Sequence, residues 1–539
     1  MKKDVIILFI KKIQNHDLFY SLMIGILIRY SIALYTIQPN DIIVWFKESL
    51  NVIYGLGIYE RPYFAYPPIW GYILGVFLKF SSLIFNPREY GYYIKEFHQL
   101  DYVTGMVSGF VTTPLFNFLY KTPLIITDII IGYLIYKVIL ELKNDKRFAI
   151  YAFNLWFFNP LVILVSSYIG KFDNILTLFI LLIAIFVYKR NWFFTGISLG
   201  LGIFTKIYPI IFLPIILILI LVEKITDRYQ FKKIILNLLY LFFGIFLTSS
   251  IIILPLLFND EYGRLFSPFT RIETGVGVGG MSIWSVRYLT GHEWIYDWAH
   301  THTKFVISTL FKIQFSLILF ITVLFIFKYI KSKEKLITYY IFTLIILISY
   351  LTNYTLNPPY LLWIFPLLII LGTYTGFGYN SYKKIMLIIF IYGVISTSAF
   401  LLAPLLKNNA PFIIYILEII LILSLLIRIG NIYLNSLLIL TISGITFYYA
   451  IKGIWSDLAP FAIFTNILDL KNIDEYTIRY ISIKGLFNNT VSSDIYLLTG
   501  LLVNYCFILV FVSIIKYLWI RDHILINNLK KIMGKVSRK

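Results

Sequence analysis

A chain of 539 residues that is 59% hydrophobic and only 14% charged has more apolar surface than one soluble core can hide, so lipid must be the solvent for most of it. The formal charge of +20 does not point to nucleic acid, because the lysines and arginines sit at the ends of apolar runs. The single cysteine, Cys506, lies within an apolar run, which removes a disulfide framework and speaks against a cysteine-based metal site, nucleophile or redox centre.

In chain order, Lys2, Lys3, Lys11 and Lys12 precede an apolar run at 18–37. That run is long, contains Arg29 and leads into further apolar sequence, so it reads as a first span and not as a cleaved signal. Further runs suited to a hydrocarbon slab of roughly 30 Å follow. They fall at 121–141, 148–168, 172–188, 193–205, 207–222, 234–258, 304–327, 337–351, 360–374, 385–403, 412–427, 432–450 and 496–518. Lys206, Tyr208 and Pro209 interrupt 193–222, so that pair is two short spans or a re-entrant hairpin.

With the N-terminus inside, the short inner loops carry 16 Lys and Arg, and the short outer turns carry three, Lys171, Lys206 and Lys407. This is the excess that cytoplasmic loops show. Both termini are then cytoplasmic, and three long loops at 38–120, 259–303 and 451–495 lie outside. Counting Ile69 to Phe85 as a span would reverse every later assignment, so it reads as an interfacial or partly inserted helix. The expected fold class is an all-α polytopic membrane protein with about fourteen transmembrane helices and interfacial helices in the first external loop. No repeat or linker divides it, so any subdivision is into residues 1–350 and a C-terminal set of helices at 351–539.

Chemistry-bearing residues gather on the external side. Pro39, Asn40 and Asp41 form a helix start, and the seven-residue spacing of Asp41 and Glu48 puts both on one helix face. Asp41 either caps that helix or also faces a membrane-surface cleft. Glu60 and Tyr66 follow in the same loop, and Pro67 and Pro68 are suited to launching the interfacial helix. Asp128 is an ionisable residue within the second span, costly unless it faces protein or water, and Arg29 and Glu418 raise the same question. Gly170, Lys171, Phe172, Asp173 and Asn174 form a tight turn in which Asp173 caps the next helix or supplies a second acid. Lys206 is a snorkelling lysine or a cationic ligand. Arg264, Arg271 and Arg287 surround a glycine-rich stretch and suit either a substrate phosphate or anionic headgroups. That stretch follows no strand, so it is no dinucleotide fingerprint, and His300 and His302 lack metal-ligand partners nearby.

The order of several of these pieces resembles the GT-C superfamily of membrane glycosyltransferases, especially the enzymes dependent on polyprenyl-phosphate mannose. The residues carrying the resemblance are Asp41 and Trp45; Gly57, Ile58 and Tyr59 leading to Tyr66, Pro67 and Pro68; Asn159 and Pro160 before Gly170 to Asp173. Gly196 to Lys206 with Pro209 and Pro214, and Asn357 to Tyr360 with Trp363 and Pro366, complete it. The resemblance implies a GT-C-like bundle in which Asp41 is the catalytic base, two surface helices lie in the first external loop and Asp173 is a second carboxylate. It further implies an inverting hexosyl transfer, mannose first, from a polyprenyl phosphate to a glycan, lipid or protein hydroxyl outside the cytoplasm. Glu48, Glu60, Tyr66, Asp128, Lys206, Arg264, Arg271 and Arg287 are the expected substrate-binding residues. No cofactor is required, a divalent metal is possible without being indicated, and no nucleic-acid partner is expected. The sequence departs from many relatives in having a lone Asp41 where a paired acidic motif is frequent, and Lys171 where a polar residue is common. The rival readings are a transporter or flippase of lipid-linked sugars and a noncatalytic scaffold.

Overall fold

The computed structural model describes residues 2–34, 39–59, 66–93, 110–222, 231–258, 279–280, 309–310, 312–321, 336–353, 355–356, 358–375, 508, 511–512 and 514. Helices α1 (Lys2–Ala33), α2 (Pro39–Ile53) and α3 (Ile69–Ser81) come first. An antiparallel hairpin, β1 (Gly91–Tyr93) with β2 (Phe110–Thr112), leads into α4 (Pro114–Lys143) and α5 (Lys146–Phe157). A short α6 (Pro160–Ile163) runs into a π-helical turn at Leu164–Ile169. Next are α7 (Asp173–Tyr188), α8 (Trp192–Thr205), a 3-10 turn at Tyr208–Phe212, α9 (Leu213–Val222) and α10 (Phe231–Phe258). Beyond them lie α11 (Lys312–Ile321), α12 (Ile337–Thr352), a 3-10 turn at Pro358–Trp363 and α13 (Phe365–Thr375). Strand β3 (Gly279–Gly280) pairs in parallel with β4 (Thr355–Leu356), so the expected all-α character holds apart from these short strands among the described residues.

Among the described residues, two helices are long and apolar enough to cross a membrane, Pro114–Lys143 and Lys232–Phe258. The segments Lys146–Phe157 and Leu161–Ile169 add a third if the pair, bent by 49°, is one span. The run expected at 148–168 is therefore not one straight helix. Pro160 has no N–H to give, and Asn159 Oδ1 instead accepts from Leu161 N at 2.9 Å, restarting the helix in a new direction. Helix α4 begins at Pro114, earlier than the expected 121, because the Thr113 side chain caps Phe116 N and proline is tolerated in a first turn. The expected spans at 385–403, 412–427 and 432–450 and the loop at 451–495 lie outside the described residues.

The main core joins α4, α5, α7, α9, α12 and α13 around Trp156, Leu181, Ile216, Phe342 and Ile369. Helix α12 is buried on all sides, which is why it has no polar face. A smaller cluster holds α2 and α3 against the start of α4 through Trp45, Trp70, Leu74, Phe116 and Tyr120. With 13 residues, α3 is about 20 Å long, too short for the slab. It buries Trp70, Leu74 and Leu78 while exposing Val76 and Phe80. Helices α8 and α10 meet at backbone distance: a Cβ added at Gly196 would lie 2.1 Å from the Leu241 carbonyl oxygen, and one at Gly244 2.3 Å from that of Phe193. Away from this seam, α10 exposes Phe243, Phe246, Ile251 and Phe258, a surface suited to lipid. The chain is a membrane protein.

Candidate active site

The turn entering α7 is shaped by one glycine. The amides of Gly170 and Lys171 both donate to the Val165 carbonyl, which closes the π turn. Gly170 then takes φ 75°, and a Cβ there would sit 2.3 Å from the Tyr120 hydroxyl oxygen. The chain is thereby turned so that Phe172 and Asp173 point into the protein, where they are 2% and 1% exposed.

Asp173 stands in the first turn of α7, where a negative charge is favoured by the helix N-terminus. The helix has no side-chain cap, so the capping role open to Asp173 in the sequence is not used. Its carboxylate goes elsewhere. Oδ1 accepts from Lys206 Nζ at 2.6 Å and from Trp363 Nε1 at 3.2 Å. Oδ2 is buried and has no hydrogen-bond partner among the described residues.

Lys206 follows the last residue of α8 in an extended conformation, which carries its side chain out of the helix line and toward α7. It is buried, not the surface lysine the sequence allowed. Three rings surround its ammonium: Tyr360 at 4.8 Å, Phe172 at 5.0 Å and Trp363 at 5.8 Å from Nζ to centroid. Trp363 is itself stacked on Tyr360, centroids 4.7 Å apart, and tilted against Tyr208 at 4.8 Å. Asn353 Nδ2 donates to the Tyr208 hydroxyl, tying α12 to this cage.

A second group of rings joins the site to the first loop. Phe172 stacks on Trp70 of α3 with centroids 5.4 Å apart and meets Trp45 and Tyr66 edge-on at 5.7 and 5.1 Å. Tyr59 donates to the Tyr66 carbonyl and fixes the approach to α3. Asp41 lies in the first turn of α2, four residues before Trp45, so its backbone is one helical turn from the cluster. Glu48 is buried further along the same helix. Glu60, Arg264, Arg271 and Arg287 lie outside the described residues.

Asp128 is placed differently from the expectation of substrate binding. It is fully buried, with Oδ2 accepting from Arg29 Nε at 3.0 Å and Oδ1 from Asn174 Nδ2 at 3.2 Å. The Arg29 guanidinium lies 4.0 Å from the Phe157 ring centroid, and Trp156 donates to the Asp128 carbonyl. Both carboxylate oxygens are used in linking α1, α4 and α7, which is a structural task.

The structure thus brings Tyr66, Asp173 and Lys206 together and sets the helix bearing Asp41 beside them. Trp363 appeared in the sequence only as part of a resemblance, and Phe172, Tyr208 and Tyr360 were not singled out for the site. No spacing rule finds them, since Trp363 and Asp173 are 190 positions apart. Among the described residues, no three His, Cys, Asp or Glu side chains gather as a metal-holding group.

Residues 90–264 match the family described as GPI transamidase subunit PIG-U. The matched stretch contains Asp128, the turn from Gly170 to Asp173 and Lys206. The chain is also similar to proteins named GPI mannosyltransferase 1. It is 28% identical to that of Candida albicans over 180 residues, 33% of this chain and 36% of the relative. It is 34% identical to that of Saccharomyces cerevisiae over 104 residues, 19% of this chain and 25% of the relative. With that of Dictyostelium discoideum it shares 26% identity over 174 residues, 32% of this chain and 31% of the relative. The matches span between 25% and 36% of the length of these three relatives. They agree with the GT-C resemblance seen in the sequence.

Proposed function

We propose that the chain is a membrane hexosyltransferase of the mannosyltransferase type, which moves a sugar from a polyprenyl phosphate to an acceptor hydroxyl on the external face. The observation that carries the reading is the convergence of Asp173, Lys206 and the first-loop aromatics Trp45 and Tyr66 at one place. Its Asp173 and Lys206 fall within residues 90–264, the stretch matched to the family described as GPI transamidase subunit PIG-U, and part of the chain is similar to relatives bearing the mannosyltransferase name.

In this reading Asp41 accepts the proton of the attacking hydroxyl while the phosphate leaves from the opposite face of the sugar, so the anomeric configuration inverts. A preformed phosphate ester is already a competent leaving group, so the protein has only to align it and stabilise the growing negative charge. Arg264, Arg271 and Arg287 supply bidentate cationic donors for that charge. Asp173 orients a sugar. Residues 1–350 form the catalytic module, and both termini face the cytoplasm.

A second reading is favoured by the PIG-U match, whose printed description is that of a transamidase subunit. The chain would then be a noncatalytic member of a larger assembly. Membranes from cells expressing the chain, supplied with labelled polyprenyl-phosphate mannose or glucose, separate the two. Transferase function gives a labelled glycan absent from control membranes. A subunit gives none with either donor.

A further inference from the structure

The geometry points to Lys206 and Trp363 as positioning residues that fix Asp173 so that its Oδ2 receives a sugar hydroxyl. This assignment rests on the transferase reading above and gives a positioning role to Lys206, which the sequence offered as a snorkelling lysine or a cationic ligand.

Two observations on Asp173 carry it. Both donors converge on Oδ1 from elements far apart in the chain, and two directions of donation on one oxygen set the rotation of the carboxylate. The other oxygen, in a residue only 1% exposed, has no hydrogen-bond partner among the described residues. A buried carboxylate oxygen can accept more than one hydrogen bond, and leaving it unmatched forfeits its hydration without return, so a group that donates to it there gains strongly. A sugar hydroxyl is such a group.

The ammonium of Lys206 is not presented as a phosphate ligand. One carboxylate contact and three ring faces enclose it, so its charge is already matched. Trp363 shows the same bias. Its ring is 3% exposed and packed by Tyr208 and Tyr360, a volume that phenylalanine could fill in large part. What tryptophan adds is the N–H directed at Asp173. A buried ion pair in this position is not needed for stability, because apolar replacements of similar volume commonly serve as well. The arrangement sacrifices local consistency to hold one oxygen ready, as functional sites do.

The test uses the full chain purified in detergent, with Trp363→Phe and the paired replacement Asp173→Asn with Lys206→Met. Turnover and KM are measured separately for polyprenyl-phosphate mannose and for the acceptor, and the thermal midpoint is followed with and without each of the two. Positioning predicts that Trp363→Phe keeps the unliganded midpoint while raising one KM about tenfold or more, the step that a single lost hydrogen bond to a charged group produces. A rise in the donor KM assigns the hydroxyl to the donor sugar, and a rise in the acceptor KM assigns it to the acceptor. The paired replacement should fold and show the same KM defect. Unchanged KM values in Trp363→Phe, or a fall in midpoint with both KM values intact, would overturn the assignment. If the wild type transfers no sugar, the transferase reading fails by itself. Stabilisation of the thermal midpoint by the donor and by the acceptor then decides the positioning role: loss of either in Trp363→Phe supports it, and retention of both, or absence of both from the wild type, overturns it.

Discussion

Two buried acids on adjoining helices, Asp128 and Asp173, each sit beside a cation, and the difference between them lies in what their second oxygen does. Asp128 gives one oxygen to Arg29 and the other to Asn174, whereas Asp173 gives one oxygen to two donors and leaves the other unmatched among the described residues. Removing a single member of the Arg29–Asp128 pair strands a charge in the interior. Arg29→Met should therefore cost about 3–5 kcal/mol, and adding Asp128→Leu should recover most of it. Thermal midpoints in detergent read both. A double variant no more stable than the single one would contradict the structural assignment of Asp128. Asp41 and Asp173 at helix starts, Asp128 within a span and Lys206 in a turn could all be picked from the sequence, but not their pairings. Arg29 and Asp128 are 99 positions apart, and Lys206 reaches Asp173 only because α8 ends where it does.

Helices were the most legible features, because long apolar runs between basic ends leave little else to form. What escaped the sequence was their detail: the bend after Phe157, and the early start of α4 behind Thr113. Packing partners escaped as well. Gly196 enters the sequence reading only as part of a resemblance, and only the fold identifies Gly244 and Thr248 as the surface that Gly196 and Gly200 meet. Gly196→Leu should force α8 and α10 apart and lower stability by about 1–3 kcal/mol or more. The exposed Gly55 is a useful contrast. It has φ 78° with nothing within 4 Å of an added Cβ, so Gly55→Ala should cost only the left-handed conformation, about 1–2 kcal/mol. If Gly196→Leu proved no worse than Gly55→Ala, the tight α8–α10 contact would be wrong.

For the whole molecule, the proposed orientation rests on charge: 16 basic residues in the expected short inner loops against three in the expected short outer turns. Single cysteines introduced at Asp41, Arg271 and Asp494 after replacing Cys506 should all react with an impermeant reagent in intact cells. Protection of any one would break the shared external face on which the proposed site depends. The central claim is that this face transfers a sugar with Asp41 as the base, and one comparison tests it most directly. Asn in place of Asp41 preserves size and polarity but cannot take a proton. With saturating polyprenyl-phosphate mannose and matched protein levels, Asp41→Asn should lower turnover on the order of 10²-fold or more while the protein stays folded and inserted. Near-normal transfer by Asp41→Asn would contradict the account.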